Sequence, residues 1–535
     1  MLSFLRCAGC GWMPPAAEPY PFRCAYAGDD VDHVLVRVLD TAALRFPGGS
    51  EPDPFARYRS LMHAYHLAIA AGLADREYTA LIEALGRSVA AVDSRRFQVT
   101  PLHRSAPLSD RLGFSPRGGV WIKDETGNVS GSHKGRHLMG LLIHLEVAER
   151  IGLTAAADRP DLAIASCGNA ALAAAVVARA GGRRLRVFVP ADAQDAVVAR
   201  LRALGSDVVP CPREPGQPGD PAYLRLRQEL AAGAVPFTCQ GSENGLAIEG
   251  GQTIAYELAT QLAGTAMDHM VIQVGGGALA SACAQGLREA AELGAIPLVP
   301  RLHTVQTSGA HPLERAYERV RATLPAGEHD RAHAGPWPAD DIERALATAA
   351  RHRSDYMWPW ESEPRSIATG ILDDETYDWQ AVVGAMLTSG GQPRVVTEDR
   401  LAEANELGAA AGIPADPTGT AGLAGLLDLR QAGAVGPDER VTVLFTGARR
   451  LPSAHLGRLL LGHRVLRLTL ARRGPRPGGG RRPPPAGRCP ARAAGSGREP
   501  RRRGWPPRRQ AACRAGRRTL RHRPGAGPGC IRRPP

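Results

Sequence analysis

Between residues 100 and 450 the chain alternates short apolar runs with longer Ala- and Leu-rich stretches of helical spacing. The short runs are GVWIKDE, DLAIASCGN, LRVFVP, HMVIQVGGG, RLHTVQTSG and VTVLFTG. Each is nearly continuous in apolar character, as expected of strands buried on both faces. Stretches such as ALAAAVVARAGG and GQTIAYELATQLAG lie between them. Strands alternating with helices predict a parallel α/β architecture. Upstream, Phe55, Tyr58, Leu61, Met62, Leu81, Ile82 and Leu85 recur at helical spacing and predict helices over 53–98. Most of the predicted strands end in a polar, glycine-containing segment: ETGNVSGSHK, SCGNA, GGGALA, TSGA and TGA. Parallel sheets bind ligands at the carboxyl ends of their strands, where helix N-termini present free N–H groups. Several such ends converging would make a site for an anionic cofactor.

A chain of 535 residues is long enough for two or more domains, and 44% apolar residues is ordinary for a globular protein. No stretch approaches the roughly 20 continuous apolar residues needed to span a bilayer. The start, MLSFLRCAGCGWMPP, lacks the basic and long apolar regions of a secretory signal, so a cytoplasmic protein is expected. The net charge of +13 is unevenly placed. Residues 471–535 hold 20 Arg, no Lys and the single acid Glu499, a net of +19, which leaves the first 470 residues at −6. Arg, Gly and Pro fill 45 of those 65 positions, too little apolar surface to offset the entropy of ordering. A disordered appendage, or GC-rich DNA read in the wrong frame, accounts for this composition better than a nucleic-acid or membrane arm. No nucleic acid or membrane partner is assigned.

Lysine is scarce in this chain. Only Lys123 and Lys134 occur, against 64 arginines. Where charge alone is needed the protein uses Arg, so a retained Lys points to amine chemistry: a Schiff base, or a proton lost on burial. Lys134 follows the small-residue turn Ser130-Gly131-Ser132-His133 and opens the helical run KGRHLMGLLIHLEVAER. A helix N-terminus disfavours the cationic amine and so favours its nucleophilic form. The run Gly275-Gly276-Gly277-Ala278-Leu279 follows an apolar strand, and glycines let backbone N–H groups wrap a phosphate. The same run fits G-x-G-x-x-A, which keeps a nicotinamide site open, although no acid ends the next strand. Ten scattered cysteines suggest no disulfide framework.

The segment KDETGNVSGSHKGR (123–136) resembles the lysine motif of pyridoxal-phosphate (PLP) enzymes of the tryptophan synthase β kind, fold type II. The resemblance continues in order through TPLHRSAPLSDRLG, ASCGNAALAAAVVARAGG, EGGQTIAYEL, VGGGALASACAQG, VQTSGAHPL, ADPTGTAGLAGL and VLFTGARR, as in threonine synthases. It implies that Lys134 carries PLP as a Schiff base and that Gly275, Gly276, Gly277, Ala278 and Leu279 hold its phosphate. It also implies that Asn169 bonds the ring hydroxyl and that Thr446 lies beside the ring nitrogen. Ser166, Cys167, Gly168, Asn169 and Ala170 would receive the substrate carboxylate. Departures fall mostly on substrate-facing positions: His133 and Gly135 flank the lysine, and Cys167 and Ala170 replace hydroxyl residues.

The expected fold is therefore two parallel-sheet α/β domains with a small Cys-containing N-terminal segment and a disordered C-terminal tail. The expected boundaries are a degenerate zinc-ribbon-like segment over 1–40, a helical lead-in over 41–99 and a PLP-dependent region over 100–465. The smaller domain would run from about 130 to 240, and the tail from 466 to 535. Cys7, Cys10 and Cys24 fall one short of the four ligands of a structural zinc; Asp30 and His33 are the available substitutes, and no metal is assigned. His311 and the segment 357–361 could face substrate but are read as core-packing or surface residues. The implied activity is a threonine synthase-like lyase acting on a small amino acid as a homodimer. The alternatives are a β-replacing cysteine synthase-like enzyme or a serine/threonine deaminase on the same scaffold, and more remotely an oxidoreductase or a non-catalytic binder.

Overall fold

Among the described residues twelve strands form three sheets. They are β1 Ser3–Cys7, β2 Leu35–Leu39, β3 Leu102–Ser105, β4 Gly119–Asp124, β5 Leu162–Ala165 and β6 Leu185–Pro190. The remainder are β7 Asp207–Cys211, β8 Val235–Pro236, β9 His269–Gln273, β10 Arg301–Thr307, β11 Pro393–Val396 and β12 Arg440–Phe445. This computed structural model describes residues 2–28, 30–214, 219–262, 264–325 and 337–450; the Arg-rich tail and the apolar run before it lie outside the described residues. The larger sheet has the order β11-β10-β9-β12-β4-β3, and the smaller β7-β6-β5-β8. All neighbours in both are parallel except β3, which runs antiparallel on β4. The small sheet comes from 162–236 and the large one from both flanks. β1 and β2 pair antiparallel as a separate ribbon.

The apolar runs read as strands are the inner ones. All five residues of β9 are buried, as are Val120 and Ile122 of β4 and Val441, Val443, Leu444 and Phe445 of β12. The sequence shows no sign of six strands: β3, β7 and β11 are partly exposed edges, β8 has two residues, and β1 and β2 form the separate ribbon. The helix Asp75–Asp93 follows its predicted stripe, burying Tyr78, Leu81, Ile82, Leu85, Gly86 and Val89. No described helix is long and apolar enough to cross a membrane.

A cluster of buried charge joins the two flanks of the larger sheet. Lys123, on β4, is fully buried, and its ammonium donates to Thr100 O at 2.9 Å, Glu257 Oε2 at 2.6 Å and Gln261 Oε1 at 2.9 Å. Three acceptors around one compact cation suit an ammonium better than a planar guanidinium. Arg136 lies two residues beyond Lys134 and is equally buried. Its fork meets Glu125 Oε2 at 2.8 Å and Oε1 at 2.9 Å, and Glu257 Oε1 at 2.5 Å. Thr100 Oγ1 and Asn128 Nδ2 also donate to Glu125. Burial would raise the Glu125 carboxyl, but the Arg136 guanidinium, its hydrogen bonds and Lys123 hold it down at about 2.

Two cations and two carboxylates therefore balance without solvent. Removing one partner leaves buried charge uncompensated, which typically costs about 3–5 kcal/mol. Glu257→Leu removes the carboxylate bonded to Lys123 and one of the two bonded to Arg136, leaving one buried cation uncompensated, so we expect a loss of that size, about 3–5 kcal/mol, in urea unfolding. A change under about 1 kcal/mol would show that the cluster is not under this strain.

Candidate active site

The turn before Lys134 is strained in a particular way. Ser130 has φ +57° and Gly131 φ +75°, the left-handed region that a side chain seldom adopts. The Ser130 N–H is satisfied by Asp93 Oδ2 at 2.8 Å. The chain then straightens at Ser132, which forms an antiparallel bridge with Gly447. The His133 N–H donates to the Thr446 carbonyl at 3.2 Å. Lys134 is the first residue of the helix Lys134–Arg150 and is half-buried, whereas His133 and Arg136 beside it are buried. Burial and then the Lys134 ammonium hold the His133 and His137 imidazoles down, His137 to about 3, so both are neutral.

Thr446 directly follows β12 and is buried. Its Oγ1 accepts a hydrogen bond from Gln273 Nε2 at 2.7 Å, leaving the hydroxyl proton free to donate elsewhere. Gln273 is the last residue of β9, one residue (Val274) ahead of the glycine run, and its Nε2 also reaches Gly419 O at 3.1 Å. Asn169 opens the helix Asn169–Ala180, with Gly168 as its cap. Its amide donates to the Asp416 carboxylate, while its Oδ1 is buried with no hydrogen-bond partner among the described residues. Asp416 itself caps the helix Pro417–Gln431 by accepting from Gly419 N at 2.6 Å. The two side chains close over Gly447: a methyl group there would lie 2.9 Å from Asn169 Nδ2 and 2.7 Å from Asp416 Oδ2.

The glycine run turns from β9 into the helix Ala278–Glu292, and Gly277 has φ +96°. The first N–H groups of a helix have no partner within it, so Ala278 and Leu279 present donors outward. Gly275 and Gly276 are needed for a second reason. A methyl group at Gly275 would fall 2.2 Å from Asp373 Oδ2, and one at Gly276 2.8 Å from Tyr377. Thr376 Oγ1 donates to Gly275 O at 2.9 Å and Asp378 N to Gly276 O at 3.0 Å, so the segment 373–378 is laid along the loop. Asp373 accepts from Gly276 N–H, and burial pushes its carboxyl up to about 6 against the pull of Lys134.

Lys134, Asn169, Thr446 and the glycine run are thus brought together at the carboxyl ends of parallel strands. The loop Ser166–Ala170 adjoins them; Gly168 N donates to Ser166 Oγ at 3.3 Å. The Cys167 thiol is raised by desolvation and then by Asp220, Asp192 and Asp373, the opposite of an activated nucleophile. His311 and 357–361 belong to a cluster of their own. The His311 ring meets Trp360 at 4.4 Å, and Arg315 lies 3.6 Å over Trp358 and 2.8 Å from Glu361. Sequence reading missed Gln273, Asp416 and Asp373; a polar residue closing the apolar strand HMVIQ was the one available sign of Gln273.

These parts suit a flat, phosphorylated heteroaromatic aldehyde: an amine, a hydroxyl and an amide around a ring, and a glycine-lined helix start for a phosphate. The profile of the family described as pyridoxal-phosphate dependent enzyme matches residues 94–447, and the chain belongs to that family. Its cofactor is pyridoxal phosphate. The chain is 26% identical to the threonine synthase of Methanocaldococcus jannaschii over 351 residues, 65% of this chain and 74% of that protein. It is 30% identical to a serine dehydratase-like protein of Mus musculus over 235 residues, 43% of this chain and 65% of the other. Among solved structures, maize serine racemase aligns with a TM-score of 0.49 at 18% identity, covering 72% of this chain and 98% of that one. The residues fit the cofactor: the second amide hydrogen of Asn169 and the free proton of Thr446 are donors still to be used, and the glycine loop admits close approach.

Thr446→Val removes the hydroxyl but keeps the shape. We expect PLP affinity, measured by absorbance titration, to fall about tenfold, one ordinary hydrogen bond's worth. Gln273→Leu should cost less, and unchanged affinity in both variants would separate Thr446 from the cofactor.

Proposed function

We propose that the chain is a threonine synthase-like lyase that acts on a small amino acid, or its O-activated derivative, by elimination or replacement. The observation that supports this reading most is the backbone hydrogen bond from His133 N–H to the Thr446 carbonyl, 3.2 Å, which joins the residue before Lys134 to Thr446. When bound, PLP supplies an electron sink for charge developing at the substrate α-carbon.

The residues of the chain supply the rest. Lys134 would hold the cofactor, and its amine would serve as general base toward the substrate α-proton. The N–H groups at the start of the helix Asn169–Ala180 receive the substrate carboxylate, with the Ser166 hydroxyl beside them. Asn169, oriented by Asp416, donates to the ring hydroxyl oxygen. Thr446, oriented by Gln273, would offer its hydroxyl proton to the ring nitrogen. A threonine hydroxyl is a far weaker acid than a carboxyl and leaves that nitrogen largely unprotonated. The sink is then moderate, which favours loss or exchange of a side-chain group over transamination.

A second reading gains weight from the acids near the glycine loop. Asp373 is pushed up by burial with Asp220 and Asp374 adding to the effect, and Asp220 and Asp192 also bear on the Cys167 thiol. Carboxylates on that side repel a doubly charged phosphate carried on a substrate. They favour an uncharged leaving group, as in dehydration of serine or threonine, and the mouse relative is named serine dehydratase-like.

Steady-state assays with O-phosphohomoserine, O-acetylserine, serine and threonine separate these chemistries. Lys134→Ala should lower turnover of the accepted substrate by about 10²–10⁴-fold, the ordinary contribution of a general base, or more. Asp373→Asn should lower KM for O-phosphohomoserine several-fold and leave serine unaffected. Transamination as the main reaction would contradict the proposal.

A further inference from the structure

The amino-terminal ribbon carries a second cluster with chemistry of its own. Cys7 closes β1, and the chain turns back so tightly that Gly11 N–H donates to Cys7 O at 2.9 Å and Cys7 N–H to Trp12 O at 2.7 Å. That turn, with Gly11 at φ +77°, presents the Cys7 and Cys10 thiols to the same side. Gly9 admits no side chain, since a methyl group there would lie 2.1 Å from Asp32 O. A second turn, closed by Ala27 N–H to Cys24 O at 3.0 Å, brings up Cys24. His33 arrives on the segment entering β2. The ligand atoms of Cys7, Cys10, Cys24 and His33 all lie within 4.8 Å of one another. Cys7 Sγ is 3.4 Å from His33 Nδ1, and Cys10 Sγ is 3.6 Å from Cys24 Sγ. A tetrahedral zinc with bonds of about 2.3 Å to sulfur and 2.0 Å to nitrogen sets its ligand atoms about 3.5–3.8 Å apart. Asp30, the other substitute for a fourth ligand, is engaged elsewhere: it accepts from Ser354 N–H at 2.5 Å.

We propose that Cys7, Cys10, Cys24 and His33 bind one zinc ion that stiffens the ribbon, which Arg37 and Asp32 tie to the PLP-binding body. Four protein ligands close the coordination shell, so the ion is structural and has no position open for a substrate. Binding displaces the three thiol protons to solvent and leaves three thiolates and a neutral imidazole. The ribbon it stiffens is tied into the body. From β2, Arg37 meets Glu249 at 3.2 Å on the helix Ala247–Leu262 and Glu289 at 2.8 Å on the helix Ala278–Glu292. The first helix also carries Glu257 of the buried charge cluster, and the second begins at the glycine loop. Asp32, next to His33, donates its N–H to Ala350 O at 2.8 Å and pairs with Arg353 at 3.5 Å.

The test uses the full-length protein carrying PLP and measures metal by mass spectrometry after reconstitution with equimolar zinc. One tightly held zinc per chain is expected, and its removal by a chelator should lower the thermal midpoint by several degrees. Cobalt exchange should give tetrahedral d–d bands with thiolate charge transfer, and His33→Cys should retain the ion while shifting those bands as a fourth thiolate enters. Should that variant fail to fold, Cys10→Ser, at an exposed position, should reduce metal retention instead. No zinc uptake, or a Cys10–Cys24 disulfide seen as a mass two hydrogens lighter, overturns the site. An unchanged cobalt spectrum in His33→Cys overturns the role of His33.

Discussion

Four charges buried where the Lys134 helix meets β4 and the helix Ala247–Leu262 hold this protein's site in register. Lys123, Arg136, Glu125 and Glu257 satisfy one another without water, and each comes from a different element or turn. Arg136 is half a helical turn from Lys134, so its fixed fork limits how the first turn of that helix can rotate. Glu125 and Asn128 lie in the segment that leads to the left-handed turn at Ser130 and Gly131. A balanced cluster of this kind adds little net stability over an apolar one, yet it punishes misplacement of any member. It also accounts for the second of only two lysines: Lys123 is spent on structure, which leaves Lys134 as the amine with room to react.

Around that joint the site is assembled from strand ends. β12 delivers Thr446 beside His133, β9 delivers Gln273 and the glycine run, and β5 leads to the Asn169 helix. The ribbon and its Arg37 grip the two helices that carry Glu257 and the glycine loop. The segment 373–378 lies along that loop, and its Asp373 makes this side of the site acidic. A site for an anionic cofactor and a wall of carboxylates therefore stand next to each other. The family explains the first; the second bears on the charge of the substrate we propose.

Much of this was legible before any coordinates. The inner strands are continuous apolar runs, and the residues after them, Lys134, Asn169, Gly275 to Leu279 and Thr446, sit in motifs whose order resembles one family. What escaped were contacts between single residues far apart in the chain. Glu257 is 134 positions from Lys123, and Gln273 is 173 from Thr446, with no periodicity or motif to link them. The edge strands β3 and β7 escaped because exposed edges need no apolar pattern. The sequence names His33 only beside Asp30 as a substitute fourth ligand, because its distance from Cys24 fits no standard ligand spacing; the fold brings it to the thiols.

The central claim is that Lys134 bears the cofactor, and one measurement tests it directly. The visible spectrum of the purified protein with PLP should show an imine band that borohydride abolishes. Peptide mapping should then find the pyridoxyl group on Lys134. Lys123, fully buried and bonded to three acceptors, should remain unmodified. An adduct on Lys123, or no band and no adduct at saturating PLP, would contradict the account.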